Sequence, residues 1–131
     1  MSTNAPTSKG QRWTSYLLSG LPALFLLFGS INTLLKTSQV MEGMAKYGYP
    51  ESAVQPLGIA ALLSVALYAI PRTAVLGAIL LTGYLGGAVA THVRAGDPWF
   101  NILLPVLFGM LLWGGLYLRD ERLRALLPLR N

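Results

Sequence analysis

The sequence contains no cysteine, only one histidine and few charged residues, which make up 11% of its 131 residues. Without cysteine there is no structural disulfide, no thiol redox couple and no thiolate metal ligand. With His92 alone, one chain cannot supply both axial histidines of a haem, although two copies can. A soluble domain usually carries about a quarter charged residues. The low charge therefore indicates contact with lipid, which does not solvate ions.

Four apolar stretches occupy most of the chain, and each is long enough to cross a bilayer. They are residues 16–35, 53–70, 74–93 and 100–118. Short connections force consecutive spans to run antiparallel. We therefore predict an all-α membrane protein with an antiparallel bundle of four transmembrane helices. The bundle is expected over 13–118, with a flexible polar N-terminus over 1–12 and a basic tail over 119–131.

The connections between spans carry helix-capping signals. After the first span, Thr37 or Ser38 can cap a short helix whose apolar side chains share one face, which predicts a helix lying along the membrane interface. After the third span, Gly96 suits a helix C-cap, and Asp97 suits the N-cap of the last helix.

Positive charge is unequally divided between the two ends of the predicted bundle. One side receives seven basic residues and the other receives three: Lys9, Arg12, Arg72, Arg119, Arg122, Arg124 and Arg130 against Lys36, Lys46 and Arg94. The positive-inside rule then predicts a bacterial inner-membrane protein with both termini cytoplasmic. Topology and anionic lipid headgroups account for the net charge of +5, so membrane lipids, and not nucleic acid, are the expected partners.

Small residues share one face of the third span: Gly83, Gly86, Gly87 and Ala90. The Gly83-x-x-x-Gly87 spacing lets another helix approach closely, which is how helices associate in lipid. We predict that this face packs inside the bundle. The alternative is association with another membrane protein or with a second copy of the chain.

Polar residues gather at the predicted outer end of the bundle. The candidate ligand-binding residues are His92, Arg94, Asn32, Lys36, Gln55, Asp97 and Trp99. An imidazole, two cations and carboxamides around an apolar mouth can bind the polar head of a quinone or a lipid. Alternatively, Arg94 and Asp97 only tie the loop together while His92 reaches for water. The pattern contains no nucleophile–base pair and no metal-ligand set, so we expect neither catalytic residues nor a metal.

No ionisable residue lies at the middle of a predicted span. Proton pumps and coupled transporters need such groups along their pathways. A carrier is therefore the least favoured function of those considered.

Several segments resemble the DoxX-like family of small four-helix bacterial membrane proteins. They are Gly48-Tyr49-Pro50-Glu51, Pro56-Leu57-Gly58-Ile59, the block IPRTAVLGAILLTGYLGGAVATHVR over 70–94 and WGGLYLRD over 113–120. The family takes its name from a subunit associated with thiosulfate:quinone oxidoreductase, and relatives include membrane assembly factors. The resemblance implies a four-helix fold and, more loosely, an accessory or scaffold subunit that contacts a membrane or periplasmic partner. The alternative function is a quinone-binding component of an oxidoreductase.

One departure from the family pattern concerns charge. Members commonly carry a lysine late in the first span and a glutamate in the second, and the corresponding positions here are Thr33 and Ala61. We expect the two charges to be lost together, because loss of only one would leave an unpaired charge in lipid.

Overall fold

The chain folds into six α-helices and no strand over residues 8–129, the part that the computed structural model describes. Four helices are long and apolar enough to span a membrane: α1 (Lys9–Leu34), α3 (Glu51–Ala69), α4 (Ala74–Ala95) and α5 (Trp99–Arg119). Two are short: α2 (Ser38–Lys46) and α6 (Glu121–Leu126). The prediction of an all-α protein with four apolar spanning helices is confirmed.

Each spanning helix packs against two others, in the cyclic order α1, α3, α4, α5. Successive spans reverse direction, so neighbouring helices are antiparallel. The start of α1 therefore meets the end of α5, and the Gln11 side chain donates to the Leu118 carbonyl at 2.9 Å. We call this the basal end. The opposite end, which carries α2 and the connection at 96–98, is the loop end.

The best-packed part of the bundle lies towards the basal end. Leu81 of α4 and Leu112 of α5 are each 1% exposed, and Tyr68 of α3 is 2% exposed. Large apolar side chains also cover the outside, as Phe28 at 71% exposed illustrates. In water such a surface would be unfavourable, so it indicates a bundle surrounded by lipid.

Two glycines, Gly77 and Gly115, mark the closest helix contacts. A Cβ atom at Gly77 would lie 2.5 Å from the Tyr68 Cα, so α4 runs directly against the end of α3. A Cβ atom at Gly115 would lie 2.7 Å from the Ser15 carbonyl oxygen, so α5 runs directly against α1. Both positions require glycine because there is no room for a side chain.

The predicted small-residue face of α4 does not pack inside the bundle. Its residues are all exposed: Gly83, Gly86, Gly87 and Ala90. A Cβ atom at any of the three glycines would meet no other atom within 4 Å. The prediction of packing within the chain is therefore wrong, because α4 turns its other side, with Ala78 and Leu81, towards the core. The alternative, association with another helix in the membrane, remains a prediction.

The helical region extends beyond the predicted boundaries at both ends. Ser8 caps α1 by accepting from the Gln11 backbone N–H at 3.0 Å, so residues 9–12 belong to the first helix. Residues 1–7 lie outside the described residues. In the predicted tail, Asp120 caps α6, and Leu123 is 5% exposed against the core. Residues 130 and 131 of that tail also lie outside the described residues.

Candidate functional site

The Asp97 carboxylate joins α2 to the end of α4 at the loop end. Its Oδ2 atom accepts a hydrogen bond from the Tyr47 hydroxyl at 2.6 Å and lies 2.6 Å from the Nδ1 atom of His92. The rings of Tyr47 and His92 also meet edge to face, with centroids 5.1 Å apart. The prediction that Asp97 caps α5 is therefore wrong. That helix begins at Trp99 without any side-chain cap.

The Asp97 carboxylate determines which nitrogen of His92 carries a proton. Hydrogen bonds from Tyr47 and from His92 lower the pKa of Asp97 below its ordinary value, so the carboxyl is ionised and only accepts. The Nδ1 atom of His92 must therefore carry a hydrogen. When the ring is neutral, Nε2 is left as a hydrogen-bond acceptor. When the ring is doubly protonated, Nε2 becomes a donor.

We expect the contact between Tyr47 and Asp97 to depend on pH at both extremes. Because the pKa of Asp97 is lowered, its contribution to stability is present above the ordinary value of 3.8 and is lost as the pH falls through the lowered value. Because the hydrogen bond to Asp97 raises the pKa of Tyr47, its contribution is present below the ordinary value of 10.0 and is lost as the pH rises through the raised value.

Phenolate absorbance during an alkaline titration measures this effect. Tyr47 should ionise late in the wild-type protein, and Tyr47→Phe should remove one phenolate from that late step. Asp97→Asn should move the same step back towards the ordinary value. Identical titration curves for the wild-type protein and Asp97→Asn would show that the contact has no influence on Tyr47.

Arg94 makes a second contact between the end of α4 and Tyr47. Its Nη2 atom donates to the Tyr47 backbone carbonyl at 2.6 Å, and the side chain is exposed. Gly96 adopts a left-handed conformation with φ of 71°, as the predicted C-cap requires, and so brings Asp97 back towards His92. Arg94 and Asp97 thus tie the loop to Tyr47 at the end of α2.

A cavity of about 290 Å³ lies between α2, α3 and α4, and His92 forms part of its wall. Its apolar lining includes Met44, Leu57 and Ala88. Its polar lining comprises Tyr47, Tyr49, Tyr84, Thr91 and His92. A second cavity of about 350 Å³ lies between α1, α4 and α5, and Tyr84, Ala88 and His92 line this cavity too. The last turns of α4 therefore lie between two cavities, and each cavity has a mostly apolar wall with a few polar groups.

Two polar groups in these walls have no hydrogen-bond partner among residues 8–129. They are the Nε2 atom of His92 and the hydroxyl of Tyr84. By contrast, Thr91 donates to the Gly87 carbonyl, so the Tyr49 hydroxyl must donate to Thr91 Oγ1 at 2.6 Å. The structure therefore leaves one acceptor-capable nitrogen and one hydroxyl for a bound molecule.

The other predicted ligand residues lie away from these cavities. Asn32 donates to the Phe28 carbonyl of its own helix at 2.9 Å. Lys36 is exposed at the turn after α1, where its φ is 53°. Gln55 is exposed on α3, and Trp99 is 75% exposed at the start of α5. Among the seven predicted residues, the structure brings together only His92, Asp97 and, through Tyr47, Arg94.

The sequence profile of the DoxX-like family matches residues 17–115, from α1 to α5. The chain belongs to the DoxX-like family. No curated protein and no solved structure matches it.

In this DoxX-like chain, the two positions expected for the family ion pair are both buried. Thr33 of α1 is 6% exposed and Ala61 of α3 is 2% exposed. The Thr33 hydroxyl donates to the Gly29 carbonyl of its own helix at 2.8 Å, and its methyl group approaches Gly58 of α3. The contact between α1 and α3 is therefore made without charge at these positions. A single charge introduced at either one would be unpaired.

Proposed function

We propose that this DoxX-like membrane protein is a non-catalytic accessory subunit that holds the head group of a lipophilic molecule of the quinol or quinone class beside His92. The observation that carries the proposal is the cavity at the end of α4, where Tyr84 and the Nε2 atom of His92 have no partner among the described residues. Pockets for small molecules are mostly apolar and contain a few convergent polar groups.

The tautomer that neutral His92 adopts beside Asp97 favours the reduced form of such a ligand. With Nδ1–H directed at Asp97, neutral His92 accepts a hydrogen bond from a ligand hydroxyl. The Tyr84 hydroxyl can donate to a second oxygen of the ligand. A quinol presents hydroxyls that satisfy both groups, whereas a quinone presents only acceptors and requires doubly protonated His92. The apolar walls suit the isoprenoid or alkyl tail.

The charge distribution supports a location in the bacterial inner membrane with both termini in the cytoplasm. Arg12, Arg72 and Arg119 lie at the basal end, whereas Lys36, Lys46 and Arg94 lie at the loop end. Further basic residues follow α5. The positive-inside rule assigns the more basic end to the cytoplasm, so the cavity beside His92 would face the periplasmic leaflet.

A second candidate function is scaffolding of another membrane protein. The observation that favours it is the exposed face formed by Gly83, Gly86, Gly87 and Ala90, against which no helix within residues 8–129 packs. Gly83 and Gly87 also line the cavity beside His92. A partner helix on this face would therefore cover the ligand. The occupant would be either a partner membrane protein or a second copy of the chain.

Anaerobic calorimetric titration of the detergent-solubilised protein with a short-chain quinol tests the ligand proposal. Tyr84→Phe removes a hydroxyl that has no partner among the described residues, so it should leave the fold intact. Each lost hydrogen bond should weaken binding by about five- to tenfold, and we expect this for Tyr84→Phe and for His92→Phe. The oxidised quinone should bind more weakly than the quinol while His92 is neutral.

Trp99→Phe serves as the control for this titration. Trp99 is an exposed aromatic residue at the loop end and lines neither cavity, so the substitution should leave quinol affinity unchanged. Equal affinity in the wild-type protein, Tyr84→Phe and His92→Phe would refute the proposal. So would an equal loss in Trp99→Phe, because binding would then be a general property of the loop end.

A further inference from the structure

A third cavity, of about 370 Å³, lies at the basal end and is separate from the site beside His92. It forms where the first turns of α1 meet the ends of α3 and α5. Arg12, Tyr16 and Arg119 contribute its polar wall, and Gly20, Ala23 and Leu116 are among the residues of its apolar wall. The polar wall therefore lies at the end of the membrane span, and the apolar wall continues from it along the bundle.

Arg119 is half-buried in this wall without a carboxylate partner. Its Nη1 atom donates to Ser19 Oγ at 2.7 Å and to the Ser15 carbonyl at 3.4 Å. Its guanidinium carbon lies 5.4 Å from the centre of the Tyr16 ring and 5.9 Å from that of Tyr68. Within residues 8–129, no carboxylate oxygen lies within 4.0 Å of its nitrogens. Neutral groups orient the guanidinium and leave its charge uncompensated.

The remaining charges of the cavity do not compensate Arg119. Asp120 also lines it, but its Oδ1 atom accepts from the backbone N–H of Leu123 to cap α6. Arg12 adds a second guanidinium, which is exposed and has no hydrogen-bond partner among the described residues. Two cations thus face one carboxylate. The Nη2 and Nε atoms of Arg119 also have no acceptor in the described part of the chain.

We propose that this cavity binds the headgroup of an acidic phospholipid, with the phosphate on Arg119 and Arg12 and an acyl chain along Gly20 and Ala23. Guanidinium groups form paired hydrogen bonds with phosphate oxygens. The polar wall lies at the end of the spanning helices, where lipid headgroups would meet it, and anionic lipids attract basic groups there. Glycine and alanine leave the space that the acyl chain would need. This site does not depend on the proposed function at His92.

Binding of short-chain phosphatidylglycerol to the full-length protein in a neutral detergent tests this site. Phosphatidylcholine of the same chain length and inorganic phosphate are the comparison probes. Arg119→Gln should weaken phosphatidylglycerol binding by about five- to tenfold. Gly20→Leu keeps every charge, and a Cβ atom at this position meets nothing within 4 Å, so this variant should fold and fill the cavity. It should weaken binding as well, and it decides the test if Arg119→Gln fails to fold.

Arg72→Gln is the matched control, because Arg72 is an exposed arginine at the same end that does not line this cavity. It should leave phosphatidylglycerol binding within about twofold of the wild-type protein, because its charge acts only through screened attraction. An equal loss in Arg72→Gln, or equal binding of phosphatidylcholine, would overturn the proposal. Displacement of the lipid by inorganic phosphate would also overturn it and would indicate a site for free anions.

Discussion

Gly77→Ala is expected to lower the free energy of unfolding by at least about 2 kcal/mol. The new Cβ atom would lie 2.5 Å from the Cα of Tyr68 and 2.8 Å from the carbonyl carbon of Leu67, and it would overlap the Tyr68 backbone nitrogen. These atoms belong to the backbone at the end of α3 and cannot rotate away. The tight hairpin through Pro71–Thr73 also prevents α4 from moving independently of α3.

Gly83→Ala provides the control for this prediction. It makes the same change in the same helix, but its Cβ atom would meet nothing within 4 Å. Alanine has a helix propensity higher than that of glycine by about 1 kcal/mol, so this variant should be as stable as the wild-type protein or slightly more stable. Thermal unfolding in a mild detergent, followed by circular dichroism, compares the two. Equal melting temperatures would show that α3 and α4 do not approach as closely as described.

Tyr68→Phe is expected to destabilise the protein by about 1–3 kcal/mol, because it interrupts a buried chain of hydrogen bonds. The Tyr68 hydroxyl donates to the Leu112 carbonyl at 2.5 Å, so it must accept from Ser19 Oγ at 2.7 Å. Ser19 in turn accepts from Arg119 at 2.7 Å. This sequence of bonds joins α1, α3 and α5, and phenylalanine would leave the Ser19 hydroxyl with no acceptor at that position.

Tyr16→Phe removes a tyrosine hydroxyl from the same region without breaking such a chain. Tyr16 is 53% exposed, and its hydroxyl has no hydrogen-bond partner among residues 8–129. Its ring remains available to the Arg119 guanidinium after the substitution. Unfolding in detergent should therefore distinguish Tyr68→Phe from the wild-type protein but not Tyr16→Phe. A similar small loss in both variants would mean that the Tyr68 hydrogen bonds contribute little.

The sequence predicts the four spans well because the length of an apolar run is itself the physical requirement for crossing a bilayer. Helix ends are predicted less well, since they depend on distant contacts. α1 extends back to Lys9 because Ser8 caps it and Gln11 reaches the Leu118 carbonyl, which is remote in sequence. Likewise, the spacing of Gly83 and Gly87 shows that a helix can approach, whereas only the fold shows that Gly77 and Gly115 receive the close contacts.

The candidate site is predicted only in part for the same reason. His92 and Asp97 are close in sequence, and the Gly96 signal places a sharp turn between them. Tyr47 is not among the predicted site residues, although it contributes the hydrogen bond that organises the site, because it lies 50 residues from Asp97. Tyr84 is not among the predicted site residues either, although it lines both cavities beside His92. Its position eight residues before His92, on the same helix, is the signal that points to a shared wall.

Native mass spectrometry of the full chain, extracted gently with its lipids, tests the central claim most directly. We predict one bound molecule of the quinol or quinone class per chain, retained by the wild-type protein and by Trp99→Phe. The double variant Tyr84→Phe, His92→Phe should lose this molecule and keep any phospholipid held at the basal end. A wild-type protein that carries only phospholipid, or only another polypeptide, would contradict the claim and favour the scaffold function.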